Sequence, residues 1–245
     1  MKRFLVLLVG SALIVTSGGV ANADMIYVNA TVRDFTTTHA DFDQSIIAQD
    51  YAIVGSLGSA IGAGRKPVYA AAGSTATVAS QASFNQWWTD NSYSTTIPIA
   101  LDNGMAGPGG IYTYDDSTFF PIDGQLRGNE RRPHNYHFTV EMHTSFMYQT
   151  GQVFQYTADD DLFVYVNDKL VVDGGGVWPA RSYSVNLDTL GLTPGQVYAY
   201  DIFFAERHTV DSRLRFDAAM VPVPGAVLLG ALGLTAAGLQ LRKHA

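Results

Sequence analysis

Three consecutive carboxylates, Asp159, Asp160 and Asp161, stand in "TADDDLFVYVNDKLVVDGGG" (157–176), directly before a run of β-branched and aromatic residues. Like charges this close repel one another unless a cation or a set of hydrogen bonds compensates them. The residues leave two alternatives open, a solvated strand end or a cation site. Adjacent side chains on a regular strand point to opposite faces, so an ion shared by this triplet requires an irregular backbone. Two histidines, His137 and His143, form a second candidate constellation, but the further ligands that a zinc pair needs are not evident.

The elements that must position these groups read mostly as strands. In "YHFTVEMHTSFMY" (136–148) the even positions are mainly apolar and the odd ones mainly polar, the period of a long strand with one face on a core. This places His137 and His143 on the outer, solvent-facing side. Shorter strands are expected at Val153–Thr157, Leu162–Val166, Leu170–Asp173, Ser182–Leu187, Val197–Ala205 and Leu214–Ala218, with an opening strand in "MIYVNATVR" (25–33). Turn clusters separate them, and Asn167-Asp168 suits a two-residue hairpin because both residues tolerate positive φ. Closely spaced strands punctuated in this way predict an all-β, antiparallel β-sandwich. Before residue 110 the pattern is looser. "SFNQWWTD" (83–90) predicts a short helix with Phe84, Trp87 and Trp88 on one side, spacing that favours a core over a sugar-stacking surface.

Composition narrows the function classes. The chain has a formal net charge of −7 over 245 residues, and its body is more acidic still once the basic ends are set aside. That argues against nucleic acid, whose binding needs a basic face. The absence of cysteine excludes disulfides, zinc–thiolate sites and cysteine nucleophiles. The 13 Tyr, 13 Phe and 3 Trp supply the material for a sizeable core that can replace disulfides. The ends look separate from this body. Lys2 and Arg3, an apolar stretch and Ala21-Asn22-Ala23 read as a signal peptide over residues 1–23. Residues 221–241 carry no charge, are long enough for the ~20 residues that cross a bilayer, and precede Arg242-Lys243-His244. The expected division is therefore 1–23, a domain over 24–219, and an apolar membrane-directed helix within 220–245.

Two family resemblances sharpen this. "VPVPGAVLLGALGLTAAGLQLRK" (221–243) resembles the PEP-CTERM sorting signal, with Val223 where Glu is usual. This resemblance implies an exosortase-type sorting enzyme as partner and a place on the outer surface or in the matrix of a Gram-negative bacterium, after a transient stay anchored in the inner membrane. The body resembles the fibro-slime domain, through "TVRDFTTTHADFD" (31–43), "FFPIDGQLRGNE" (119–130), "YTADDDLFVYVNDKLVVDGGGV" (156–177) and "VNLDTLGLTPGQVYAYDIFFAERHT" (185–209). Fibro-slime domains are similar in turn to the protective-antigen-type lectin-like domain, a jelly-roll-like β-sandwich of adhesins and glycosidase accessory modules. In the adhesins, successive aspartates at a strand start hold calcium, which holds a sugar's vicinal hydroxyls. The resemblance thus implies Ca2+ at Asp159, Asp160 and Asp161, and clustered carboxylates are a donor set that such an ion accepts; the alternative reading of the triplet is a structural network of hydrogen bonds and Arg pairs. The loop "ERHTVD" (206–211), with Glu206, His208 and Asp211, is the best candidate to face the triplet, and Trp178, where other fibro-slime sequences often have His, is either a sugar-stacking platform if exposed or a lid over the core. Asp161, as the third of the run, is also expected to anchor the neighbouring loop.

An enzyme is not expected. A glycosidase would need two carboxyls set about a scissile bond, and Glu206-Arg207-His208 reads more simply as a salt-linked hairpin. No Gly-x-Ser-x-Gly elbow is present, and the Gly-rich "GSLGSAIGAG" (55–64) lacks the Lys-Ser/Thr of a phosphate loop. Two function classes remain. One is a calcium-dependent module binding extracellular polysaccharide or another glycan; the other is a structural matrix protein with protein partners.

Overall fold

The computed structural model describes residues 25–43, 53–102 and 110–219. The expected signal peptide and the apolar C-terminal segment lie outside these residues. No helix among the described residues is long and apolar enough to cross a membrane.

Ten strands form one antiparallel sheet: β1 (Met25–Asp34), β2 (Ser94–Asp102), β3 (Ile111–Asp116), β4 (Phe138–Met147), β5 (Val153–Asp159), β6 (Asp161–Val166), β7 (Lys169–Gly174), β8 (Arg181–Asn186), β9 (Val197–Glu206) and β10 (Arg213–Ala219). Their order is β7-β6-β9-β4-β1-β2-β3-β10-β5-β8. All ten contribute to one apolar cluster, with Val32, Leu101, Tyr112, Val140, Phe154, Val164, Val172, Val185, Phe204 and Phe216 among its members. The sheet therefore folds over on itself, barrel-like, and encloses its core between two halves. The two ends of the order come back together: a Cβ on Gly174 of β7 would lie 2.5 Å from the Tyr183 hydroxyl of β8. Only a residue without a side chain permits this approach.

The strands of the second half lie where the period-two pattern puts them. Asn167 and Asp168 turn β6 into β7 with φ of 49° and 66°, the pair of positive angles that a type I′ hairpin demands. The first half departs from expectation in forming two further strands, β2 and β3. Pro98 sits in the middle of β2, opposite Asn29 of β1, and a proline inside an apolar run argues against a strand.

The polar face of β4 is covered at its first half, which corrects the expectation for His137; His143 and Ser145, further along, are exposed as expected. His137, just ahead of β4, is 2% exposed, and Thr139 and Glu141 are buried as well. An outer layer covers this side, made of the 35–43 and 53–80 segments and the short helix α1 (Gln81–Trp87). Helix α1 starts in a capping box in which Ser80 and Ser83 satisfy each other's backbone N–H. It places Phe84, Trp87 and Trp88 against Phe163, Tyr165, Phe203 and Ala205 in a second apolar cluster, so the Trp pair is core. β9 makes the arrangement plain. Tyr200, Ile202 and Phe204 face the inner core while Phe203 and Ala205 face the outer layer. A run buried at every position belongs to a sheet covered on both sides.

Candidate functional site

Three chain crossings between the halves of the sheet meet at one end of the molecule. The first is the step from β5 to β6, where Asp160 is the single residue between the strands and the Asp159–Asp160 peptide bond is cis. The second links β7 to β8 through Gly175–Ala180, and the third links β9 to β10 through Arg207–Ser212. Carboxylate oxygens of Asp159, Asp160 and Glu206 lie within 4.8 Å of one another at this junction. Glu206 is the last residue of β9, and β9 pairs with β6, Ala205 opposite Asp161, so strand register carries the glutamate to the aspartates.

Each acid has a distinct set of partners. Asp160 Oδ1 accepts from the backbone N–H of Trp178 at 3.0 Å, and Oδ2 accepts from that of Arg207 at 3.0 Å. Asp161 is separated from the group. Its Oδ2 accepts from Arg207 Nε at 2.6 Å, and its Oδ1 accepts from Arg207 Nη2 at 3.0 Å and from Gly176 N at 2.7 Å. Gly176 reaches that position with φ of 127°, and a Cβ there would press on the Trp178 ring. Glu206 is fully buried. Its Oε1 accepts from His208 N at 3.3 Å, while its Oε2 makes no hydrogen bond. Ser212 lies close enough to favour the charged carboxylate, yet its hydroxyl also completes no bond.

The electrostatics follow from this crowding. Burial pushes Asp159 up to about 7, and Asp211 adds to the rise, while a hydrogen bond with Asp160 opposes it. Burial, and then the neighbouring carboxylates, push Asp160 and Glu206 above their ordinary range. Burial also raises Asp161, against the opposing pull of Arg207. Three buried carboxyls in mutual contact remain ionised together only if a cation joins them. The guanidinium of Arg207 is committed to Asp161. The donor set is all oxygen, consists of three groups that can ionise beside a cation, and includes an orphaned buried atom, so it fits a hard divalent ion such as Ca2+.

A pocket of about 200 Å³ opens over Asp159 and Asp160. Val177, Trp178 and Pro179 form one wall, and His208, Thr209, Val210 and Asp211 form the other. The structure thus brings the 206–211 loop to face Asp159 and Asp160, and moves Asp161 onto Arg207. Trp178 departs from the expectation of an exposed platform. It is 2% exposed, its indole N–H donates to the Asp160 carbonyl at 3.2 Å, and Arg181 lies 4.6 Å over its ring. It lines the pocket wall beside Asp160 as a buried lid instead. Arg207 pairs not with its chain neighbours, as a salt-linked hairpin requires, but with Asp161, 46 positions away. The one local signal for that pairing is the third aspartate itself, since two acids suffice to begin an ion site. A larger cleft of about 430 Å³, beside Phe35, His39, Asp90 and Arg127, shares no residue with this junction.

Residues 116–220 match the PA14 domain, and a PA14 domain is therefore present over the part of the chain that holds all three crossings. Protein psiR of Dictyostelium discoideum is 38% identical over 221 residues, covering 80% of this chain and 21% of psiR. Protein psiQ of the same organism is 33% identical over 237 residues, covering 90% of this chain and 23% of psiQ. For protein psiD the figures are 35% over 206 residues, 78% and 40%. The chain spans about a fifth to two fifths of the length of these curated relatives. Among solved structures, the PA14 sugar-binding domain from an RTX adhesin is similar at a TM-score of 0.37 and 11% identity, covering 78% of this chain and 87% of that one. The PA14 domain of the MpAFP antifreeze protein is similar at 0.30 and 12%, covering 47% and 62%. The relatives correct one expectation. The psi proteins are eukaryotic, so the placement at the surface or in the matrix of a Gram-negative bacterium does not stand.

Proposed function

We propose that this domain is a glycan-binding adhesion module whose ligand is held through a divalent cation, Ca2+, at Asp159, Asp160 and Glu206. The observation that carries the reading is the convergence of these carboxylates within 4.8 Å, with Glu206 Oε2 buried and unpartnered, beneath a small open pocket. The ion supplies the positive charge that lets the acids stay ionised, and offers open coordination positions toward the pocket for neutral oxygen donors. A sugar's vicinal hydroxyls are such donors. Val210, 76% exposed at the lip, and Pro179 add apolar surface for the C–H face of a ring. The PA14 match supports this reading, as does the sugar-binding PA14 domain among the similar structures, and the resemblance to fibro-slime domains belongs to the same reading.

The test is a glycan array probed with the purified domain in calcium and again in chelator. Binding that appears in calcium and vanishes in chelator supports the assignment. Calcium-dependent stabilisation with no glycan bound instead favours a structural role with protein partners, and glycan binding indifferent to chelator removes the ion from the mechanism.

A further inference from the structure

Arg207 is fully buried, and every one of its five guanidinium N–H donors has an acceptor. Besides the two bonds to Asp161, Nη1 donates to the carbonyls of Asp41 at 3.0 Å and Thr77 at 2.6 Å, and Nη2 donates to Thr77 Oγ1 at 3.3 Å. The guanidinium carbon lies 4.5 Å from the centroid of the Trp87 ring. The residue's own carbonyl accepts from Asp43 N at 2.9 Å. Asp41, in turn, belongs to the outer layer: its Oδ1 accepts from Ala79 N at 2.7 Å and Ser83 Oγ at 3.1 Å, and its Oδ2 accepts from Trp87 Nε1 at 2.9 Å.

The planar fork of a guanidinium matches one carboxylate at a time. Arg207 takes Asp161, the member of the triplet that faces away from Glu206's carboxylate group, and leaves Asp159 and Asp160 to converge with Glu206. Its backbone N–H meanwhile holds Asp160 Oδ2, and Glu206 precedes it in the chain. One residue thus fixes the direction of Asp160, the backbone beside Glu206, and the charge of Asp161, which would otherwise add to the repulsion.

Building on the cation-site reading above, we propose that Arg207 is the positioning residue of that site, and that its anchorage to Asp41, Thr77 and Trp87 couples cation binding to the packing of the outer layer. A coupling of this kind is reciprocal: the ion tightens the layer and the layer tightens the ion. The mark of a positioning role is therefore a response at Trp87, whose indole N–H contacts Asp41 and none of the three acids.

The experiment titrates the full chain with calcium chloride by calorimetry and follows solvent exchange of the Trp87 indole N–H by NMR. The expected result is calcium uptake with slowed exchange at Trp87 in the unaltered protein. Arg207→Lys, which keeps the charge and loses the fork, is expected to weaken calcium at least ten-fold and to abolish the response at Trp87. Should that variant fail to fold, Thr77→Val decides, since it is isosteric, lies outside the site and removes one acceptor of Nη2; a two- to five-fold weakening is expected. Unchanged affinity in folded Arg207→Lys or in Thr77→Val, or no response at Trp87, overturns the positioning role alone. No calcium uptake by the unaltered protein overturns both this inference and the cation site on which it rests.

Discussion

Glu206 and Asp160 are both buried acids of the same cluster, yet substitution should reveal opposite intrinsic roles. Glu206 Oε2 accepts nothing, so Glu206→Gln removes a repelling charge without breaking a bond. In chelator this variant should melt no lower than the unaltered protein, and it should lose the response to calcium. Both oxygens of Asp160 accept backbone N–H groups. Asp160→Asn turns one acceptor into a donor facing a donor, and should cost about 1–3 kcal/mol in chelator as well as calcium binding. Thermal melts of both variants with and without calcium check this contrast. His143 of β4, away from the acid cluster, carries a pH dependence of its own. Burial works against its charged form, but the hydrogen bonds that it donates to Asp201 at 2.7 Å and Glu141 at 2.5 Å prevail and hold it at about 9. Because the folded value lies above the ordinary 6.5, its contribution is fully present below pH 6.5 and fades as pH rises toward 9. Denaturant unfolding across that window should show falling stability, and His143→Ala should flatten the slope.

At the scale of elements, the outer layer is as much core as the sheet is. Phe84 and Trp87 are 1% and 0% exposed, and replacing either with Ala should cost about 3–5 kcal/mol by denaturant unfolding. A charged lattice fastens the same layer to the polar face of β4 and β9. Arg33 meets Glu141 at 2.8 Å, Lys66 also pairs with Glu141, and Arg65 joins Asp201 and Asp168. These pairs let charged side chains at strand positions lie beneath a protein layer, because each buried carboxylate there has a cation. Closure of the sheet depends on the bare backbone at Gly174. Gly174→Ala would set a methyl group 3.0 Å from the Leu162 carbonyl as well as against Tyr183. It should destabilise by about 1–3 kcal/mol, read by the same unfolding measurement.

Across the whole molecule, the PA14 match begins at residue 116, but the fold does not. β1 and β2 stand between β4 and β3 in the strand order, so a fragment starting at residue 110 would open the sheet at its middle. It would also strip Arg207 of Asp41, Thr77 and Trp87. Such a fragment is expected to lack a cooperative melt by calorimetry, whereas the full chain is expected to melt cooperatively. The full chain should in addition melt at higher temperature as calcium increases, because only the folded form assembles the three acids.

The sequence by itself determined whatever depends on neighbours along the chain. The period of two over residues 138–147 and the strands that follow, the Asn167-Asp168 hairpin, the helical spacing of Phe84, Trp87 and Trp88, and the position of the acid triplet were all legible. Local sterics and the alternation of side chains fix these without reference to the rest of the fold. The tertiary structure alone decided which partners such groups meet. It covered His137, Thr139 and Glu141 with an outer layer, buried Trp178, and drew Pro98 into a strand beside β1. It also sent Asp161 to Arg207 and brought Glu206 to Asp159 and Asp160. Residues identical in type and adjacent in sequence were thereby given different work, because charge pairing acts through space, and the distances that govern it exist only once the three crossings have closed.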